Sequence, residues 1–352
     1  MNLKIVECKP KSEYDKAFVD FINEHRAHKT NLEAFHWQFS FNRSSAVVVG
    51  LEADGKIVGS QAMMPIPLRI KNKALASGKC ENSYIQPDLR GKGKFGELFN
   101  FAENKSAQAG MKVLWAFTPA IKPYSKLGFE VVKNGLLSYS VHLNSTSDRS
   151  DSLKQKVKGV IRKGITKISD LKAKRWLKQS EINTLQNIRL NHSPREDELS
   201  ALMENSDLLS KDDISIDMSS EFINWRVHSN PNIKYETCCF YRGNQLVAHV
   251  IFAEHQSACR VHFLMVHDNE LLKGLVGALY LLFKRRGYRY MTYQGNLQNG
   301  FNQRVFALLK SLGQRDLDPN GEHFVYRLDD WNGPGIRPSS WFLNRLWTEG
   351  YT

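Results

Sequence analysis

Between a strand-like run, Cys80-Glu-Asn-Ser-Tyr-Ile-Gln86, and a helix-like run from Glu97 to Ala109 lies Pro87-Asp-Leu-Arg90-Gly91-Lys92-Gly93-Lys94-Phe95-Gly96. A Gly-rich turn that opens a helix leaves backbone N–H groups unpaired and pointing outward. Those donors, the positive helix end and the side chains of Arg90, Lys92 and Lys94 make a cradle for an anion. Glycines at 91, 93 and 96 let an oxygen approach the backbone with no Cβ in the way. The chemistry implied is the binding of a phosphorylated ligand at the end of a strand.

Three Gly-rich loops compete for this stretch. A nucleotide P-loop needs Gly-x-x-x-x-Gly-Lys-Ser/Thr, but Gly96 is followed by Glu97. Gly91-Lys-Gly93-Lys-Phe-Gly96 satisfies the dinucleotide pattern, yet the preceding strands are joined by tight turns such as Asp54-Gly55, which signal hairpins instead of crossovers. The third option fits. Ile85-Gln-Pro87-Asp-Leu-Arg90-Gly91-Lys-Gly93 resembles the coenzyme A pyrophosphate loop of the GNAT N-acetyltransferases. Tyr124-Ser-Lys126-Leu-Gly128-Phe129 is similar to a second mark of that family, with a buried strand, Met111 to Phe117, between the two. The resemblance spans roughly residues 1–145. It implies a mixed α/β fold, a largely antiparallel sheet flanked by helices. It also implies acetyl-CoA as co-substrate, held by Tyr84, Ile85, Gln86, Arg90, Gly91, Lys92, Gly93, Lys94, Phe95 and Gly96. Phe95 is a departure: the family has a small residue there, and here Gly96 follows one step later.

Acyl transfer from a thioester to an amine needs a neutral amine, a donor for the oxyanion and a proton for the leaving thiolate. A tyrosine ordinarily titrates near ~10, above the ~8.5 of an alkyl thiol, so it stays protonated until the thiolate forms. The resemblance gives that acid role to Tyr124. Glu81, in Glu81-Asn-Ser-Tyr-Ile-Gln-Pro87, resembles the family's strand carboxylate and is the leading base, or else an anchor for the charged acceptor. Strand alternation puts Glu81, Ser83 and Ile85 on one face and Asn82, Tyr84 and Gln86 on the other. The family's use of strand amides points to a backbone N–H near Tyr84 or Ile85 as oxyanion donor.

The chain repeats itself. Trp37 and Gly55 are 18 residues apart, as are Trp225 and Gly243, and each pair brackets an apolar strand and a tight turn. Gly110-Met-Lys-Val parallels Gly287-Tyr-Arg-Tyr at an offset of 177, which sets His267-Asp-Asn-Glu270 against the cradle's Arg90-Gly-Lys-Gly93. Gly128 and Gly313 give an offset of 185, which sets Leu309 against Tyr124. Four matches in one order indicate a duplicated unit whose second copy has lost the glycines and the acid. One cofactor site per chain follows.

At 352 residues the chain holds two ordinary domains. The division read from the sequence is a catalytic GNAT domain over 1–145, a linker over 146–180, a degenerate GNAT-like domain over 181–330 and an aromatic tail over 331–352. No apolar run is long enough to span a membrane, and the first residues lack a signal-peptide core. Five cysteines without a Cys-x-x-Cys pair suggest reduced thiols, a cytoplasmic protein and no zinc or other metal. His249, His255, His262 and His267 read as structural histidines.

Residues 151–178 carry ten Lys or Arg against two Asp, +8 of the chain's +13. Leu153, Val157, Ile161, Ile165 and Ile168 recur there at helical spacing. A linker helix whose apolar stripe packs on a neighbouring domain is the plainest reading. Attachment to an anionic membrane surface, at the periphery of the inner face, comes second. Nucleic acid comes last, because Trp176 is the segment's one aromatic. The function expected is transfer of an acetyl group to a primary amine on a small amine, amino sugar or peptide. A Fem-type aminoacyl-tRNA-dependent transferase and a non-catalytic acyl-CoA-binding protein are the alternatives.

Overall fold

The computed structural model describes residues 2–8, 12–25, 29–70, 73–144, 153–183, 187–210, 212–313, 316–317, 323–328 and 336–348. In chain order come β1 (Leu3–Glu7), α1 (Asp15–His25), α2 (Leu32–Gln38), β2 (Val47–Ala53), β3 (Lys56–Pro65), β4 (Leu68–Ile70), β5 (Lys73–Leu75) and β6 (Ser77–Ile85). Then follow α3 (Lys94–Gln108), β7 (Val113–Thr118), α4 (Ile121–Lys126), β8 (Glu130–Val132), β9 (Leu137–His142) and the long α5 (Leu153–Gln179). The rest comprises β10 (Asn187–Leu190), α6 (Glu196–Glu204), β11 (Ile214–Ile216), α7 (Ser220–Ile223), β12 (Tyr235–Arg242), β13 (Gln245–His255) and β14 (Ala258–Val266). It ends with α8 (Asn269–Arg285), β15 (Tyr290–Gly295), α9 (Gly300–Ser311), β16 (Asp316–Leu317) and β17 (His323–Leu328).

The chain divides into two compact units. The first is Met1–Lys133 with Asn224–Asn232 and His323–Gly335; the second is Asn134–Ile223, Ile233–Glu322 and Ile336–Thr352. In the first, one sheet runs β1-β2-β3-β6-β7-β17-β8. Asp54 and Gly55 turn at φ +48° and +80°, the left-handed pair that a two-residue hairpin between β2 and β3 requires. Within this sheet β6 and β7 run parallel, so α3 is the crossover between them. Leu98, Phe99 and Ala102 turn inward from α3 onto Val49, Met63, Ile85 and Leu114 of the sheet. In the same unit Trp37 and Trp225 stack at 5.3 Å, and each indole N–H donates to the other's backbone carbonyl, at 2.9 and 2.8 Å.

The second unit's sheet runs β10-β12-β13-β14-β15-β9-β16, again with one parallel pair, β14 and β15, bridged by a helix, α8. The spacing follows the repeat: α3 ends at Gln108 and β7 begins at Val113, while α8 ends at Arg285 and β15 begins at Tyr290. Gly110 and Gly287 hold matching left-handed turns, φ +83° and +85°. The boundaries differ from those read in the sequence. Residues 134–142 lie in the second unit, where β9 pairs β15, and 323–328 lie in the first, where β17 pairs β7 and β8. Alternating hydrophobicity identifies a strand but not the neighbour it will pair with.

The stripe predicted for the basic segment also changes. Over the described part of α5, Thr166, Ser169, Ala173 and Trp176 are buried and Ile165 is half-buried against Gly313, whereas Ile168 and Leu171 are 67% and 69% exposed. Small residues let α5 pack closely on α8: a Cβ added at Gly277 would meet the Ala173 carbonyl at 2.8 Å. Asp170 accepts from the Lys284 ammonium at 2.6 Å and from the Tyr280 hydroxyl at 3.1 Å. The side chains of Leu153, Val157 and Ile161 lie outside the described residues, as do residues 146–152, 331–335 and 349–352. Trp341, Phe342 and Trp347 of the tail are buried. Among the described residues no helix is long and apolar enough to cross a membrane.

Candidate active site

The cradle stands at the C-terminal end of β6. Pro87 to Leu89 make one 3-10 turn, Gly91 and Gly93 take φ of +75° and +76°, and Gly93 is the N-cap of α3. No side chain caps this helix; the first of its N–H groups to reach a backbone carbonyl is that of Glu97, on Gly93 at 3.2 Å. The N–H groups of Lys94, Phe95 and Gly96 therefore have no intrahelical acceptor. A Cβ placed on Gly91, Gly93 or Gly96 would meet nothing within 4 Å, so the space over the loop is open. These residues fit a pyrophosphate. Phe95 does not obstruct it, because its ring turns inward against Phe99 at 5.9 Å and Tyr124 at 6.0 Å.

The three cations of the loop are not equivalent. Arg90 donates from Nε to the Ile85 carbonyl at 3.0 Å and lies 5.0 Å over the Tyr84 ring, which clamps the loop to its strand. Lys94 is taken by the Glu97 carboxylate at 2.8 Å. Lys92 is exposed and makes no ion pair among the described residues.

A bulge governs the strand that leads into the cradle. Ala62 pairs with Glu81 and Ser60 with Tyr84, so Gln61 alone faces Asn82 and Ser83. Asn82 takes a left-handed φ of +52°, which asparagine tolerates, and its carbonyl accepts from Ser60 Oγ at 2.5 Å. The extra residue breaks the simple alternation expected of this strand: Glu81 now shares a face with Tyr84, while Cys80 and Ile85 line the core on the other. Glu81 is buried and ion-paired with the equally buried Lys79. Tyr84 stacks on His25 of α1 at 4.5 Å. Burial above all, then Glu81, pushes the Cys80 thiol up, which makes it an inert core residue and not a nucleophile.

Beyond the bulge the sheet opens. The ladder described between β6 and β7 runs from Ser77 and Val113 only to Lys79 and Trp115. On the other side Gln86 N–H donates to Val58 at 3.0 Å, and Ser60 faces Tyr84 two residues back. By antiparallel alternation the N–H of Ile85 then points away from β3, into the opening. Tyr124 of α4 is buried against Phe95, Phe99 and Phe129, and its hydroxyl lies 2.8 Å from Ser83 Oγ. Ser83 is the residue that sequence reasoning passed over. Its signal was a small hydroxyl in the strand just ahead of the cradle, on a face that only the bulge defines.

Among the described residues the second unit has no such cradle. At the matching helix start, Asp268 is the N-cap of α8 and its carboxylate accepts from Leu271 N–H at 2.8 Å. A side-chain anion already occupies the place a phosphate would take.

Residues 15–132 match the acetyltransferase (GNAT) domain family. The first unit carries a GNAT domain. No curated protein matches the sequence significantly. Among solved structures, the chain is similar to a probable N-acyltransferase from Enterococcus faecalis V583, a conserved protein of unknown function. The TM-score is 0.62 at 10% identity, covering 93% of this chain and 73% of that one. It is similar to a GCN5-related N-acetyltransferase from Kribbella flavida, with a TM-score of 0.59 at 12% identity, covering 93% and 72%. It is also similar to Saccharomyces cerevisiae N-myristoyltransferase with bound myristoyl-CoA, with a TM-score of 0.56 at 10% identity, covering 92% and 82%. At these identities the likeness is one of fold, and it extends over both units of the GNAT-bearing chain.

Proposed function

We propose that the GNAT domain of the first unit transfers an acyl group, acetyl in the first instance, from acyl-CoA to a primary amine on a small amine, amino sugar or peptide. The observation that carries this reading is the pairing of an uncapped, glycine-lined helix start with a buried tyrosine hydroxyl at the same opening of the sheet. When bound, acyl-CoA supplies an activated thioester carbonyl. Gly91, Lys92, Gly93 and the first N–H groups of α3 hold its pyrophosphate, with Arg90 fixing the loop. The Ile85 N–H donates to the carbonyl oxygen as that oxygen gains charge. Tyr124 donates its proton to the departing thiolate, and Ser83 orients the hydroxyl that does so. Glu81, committed to Lys79 and buried, acts as a positioning residue that fixes the bulged strand and the Ile85 amide behind it. A tRNA-dependent transferase is disfavoured, since the loop offers an open, glycine-lined helix start of the kind that takes phosphate oxygens.

The exposed Ile168 and Leu171 on α5, with Lys167, Lys174, Arg175 and Lys178 also exposed on that helix, support a peripheral association with anionic lipid beside this activity. The activity itself is tested by thiol release from acetyl-CoA against amines, amino sugars and peptides, with longer acyl-CoA thioesters in parallel. No release with any pair would overturn the enzyme reading.

A further inference from the structure

The match to the acetyltransferase domain ends at residue 132, yet the sheet beneath Tyr124 is completed from far along the chain. β17 enters between β7 and β8, and residues 323–328 lie in the first unit. Alternation sends Val325 and Arg327 to the face covered by α3 and α4, where Val325 joins Tyr124, Phe99 and Phe129 in the core. Arg327 reaches further. Its Nη1 donates to the Leu127 carbonyl at 2.7 Å, its Nη2 is ion-paired with the Glu103 carboxylate of α3, and its guanidinium lies 5.2 Å over the Phe129 ring. Its stem runs past Gly128, where an added Cβ would meet Arg327 Cδ at 3.6 Å. One residue back, the Tyr326 hydroxyl donates to Glu130 of β8 at 2.6 Å, so two consecutive β17 side chains grip the stretch that follows Tyr124.

α4 has six residues and no side-chain cap at its start, too short to hold a fixed direction by its own hydrogen bonds. Its end folds back on Tyr124. The N–H groups of Leu127 and Phe129 both donate to the Tyr124 carbonyl, at 3.0 and 3.1 Å, through the left-handed turn at Gly128. The Leu127 carbonyl, at the negative end of the helix, is the one that Arg327 takes. The Phe95, Phe99 and Phe129 rings around Tyr124 supply contact without direction, which lets a ring slide. A guanidinium fork fixed at once to a carbonyl at the end of α4 and a carboxylate of α3 supplies the direction. The tie joins the helix whose start makes the cradle to the helix that carries the hydroxyl facing Ser83. A shift of about 1 Å in such a group can cost roughly a hundredfold in rate.

We propose that Arg327 is the positioning residue that sets the Tyr124 hydroxyl in register with the cradle, so that the acyltransferase site is complete only with β17 in its sheet. The assignment rests on the acyl-transfer reading and adds to it a residue from outside the matched range. The full-length chain is compared with Arg327→Met, which keeps the stem and loses the fork, by thiol release, coenzyme A calorimetry and amide exchange. Turnover should fall about ten- to a hundredfold while coenzyme A affinity holds, since the glycines of the loop and the first N–H groups of α3 are untouched. In a Tyr124→Phe background the same substitution should cost nothing further, because it acts through a hydroxyl that is gone. Amide exchange at Leu127 and Phe129 should quicken in Arg327→Met, with that of β2 and β3 unchanged. If Arg327→Met does not fold, Arg327→Lys, which keeps a charge for Glu103 without the fork, carries the same comparisons. A parent chain that releases no thiol overturns the acyl-transfer reading, and exchange at Leu127 and Phe129 then decides by itself whether Arg327 holds this turn. Full turnover in the variant, an equal loss with and without the Tyr124 hydroxyl, or unchanged exchange would overturn the proposal.

Discussion

Tyr124 contributes a ring to the core and a hydroxyl to the opening, so replacing it with phenylalanine separates the two functions. The Phe95, Phe99 and Phe129 contacts survive Tyr124→Phe, while the 2.8 Å bond to Ser83 is lost. Turnover should fall by one to two orders of magnitude, roughly the low end of what a general acid supplies, with coenzyme A affinity unchanged by calorimetry. Full activity would assign the proton to another group. Glu81 calls for a different test, because its loss strands a buried ammonium. Glu81→Gln should destabilise the fold by about 3–5 kcal/mol in denaturant titration, and adding Lys79→Met should recover most of that. A positioning role further predicts that the turnover lost in Glu81→Gln does not return as pH rises. Recovery at high pH, where more of the acceptor amine is already neutral, would make Glu81 the base. The sequence made the types of these residues plain, but not their faces. Alternation is a rule for unbroken strands, and the bulge at Asn82 and Ser83 depends on β3 supplying one residue against two.

At the scale of elements, the cradle was the most legible part. Glycine is needed at Gly91 and Gly93 for the left-handed backbone, and the run after Gly93 has helical periodicity, so strand, turn and helix could be read locally. Phe95 looked out of place only because its direction depends on Tyr124, which is remote in sequence. The stripe of α5 holds at Ile165, which packs against Gly313, and departs at Ile168 for a related reason. Isoleucines at helical spacing suggest a packed face, but Gly277 of α8 lets the backbone of Ala173 approach, and the close-packed face goes to the smaller side chains. That leaves Ile168 and Leu171 exposed on a basic helix. If they insert into lipid, Ile168→Ser with Leu171→Ser should reduce sedimentation with anionic vesicles while soluble-substrate turnover holds. Binding should weaken with salt, and neutral vesicles should not bind. Equal sedimentation of the parent and the double variant would leave α5 as a structural helix alone.

Across the whole molecule, the duplication was visible in the sequence, while the assignment of β9 and β17 to their sheets was not. Strand pairing between segments more than two hundred residues apart leaves no local trace, whereas a repeated glycine turn does. The two copies have diverged at the same structural position. The first keeps an open helix start; the second has a helix start closed by Asp268. Coenzyme A should therefore bind once per chain, which calorimetry on the full-length protein will show as a stoichiometry near one. Gly93→Val should abolish that binding, because a β-branched residue resists φ of +76° and places a Cβ in the open space above the loop. Asp268→Gly tests the same logic from the other side. It removes the carboxylate cap and leaves the Leu271 N–H without its acceptor, so the second helix start becomes an uncapped anion site. Weak phosphate binding gained at that site, without coenzyme A binding, is the expected outcome, since the flanking His267 and Glu270 supply neither the glycines nor the arginine of the first loop. A stoichiometry near two in the unaltered chain would mean that the second copy kept its cofactor site by other means, and the reading of its capped helix would fall with it.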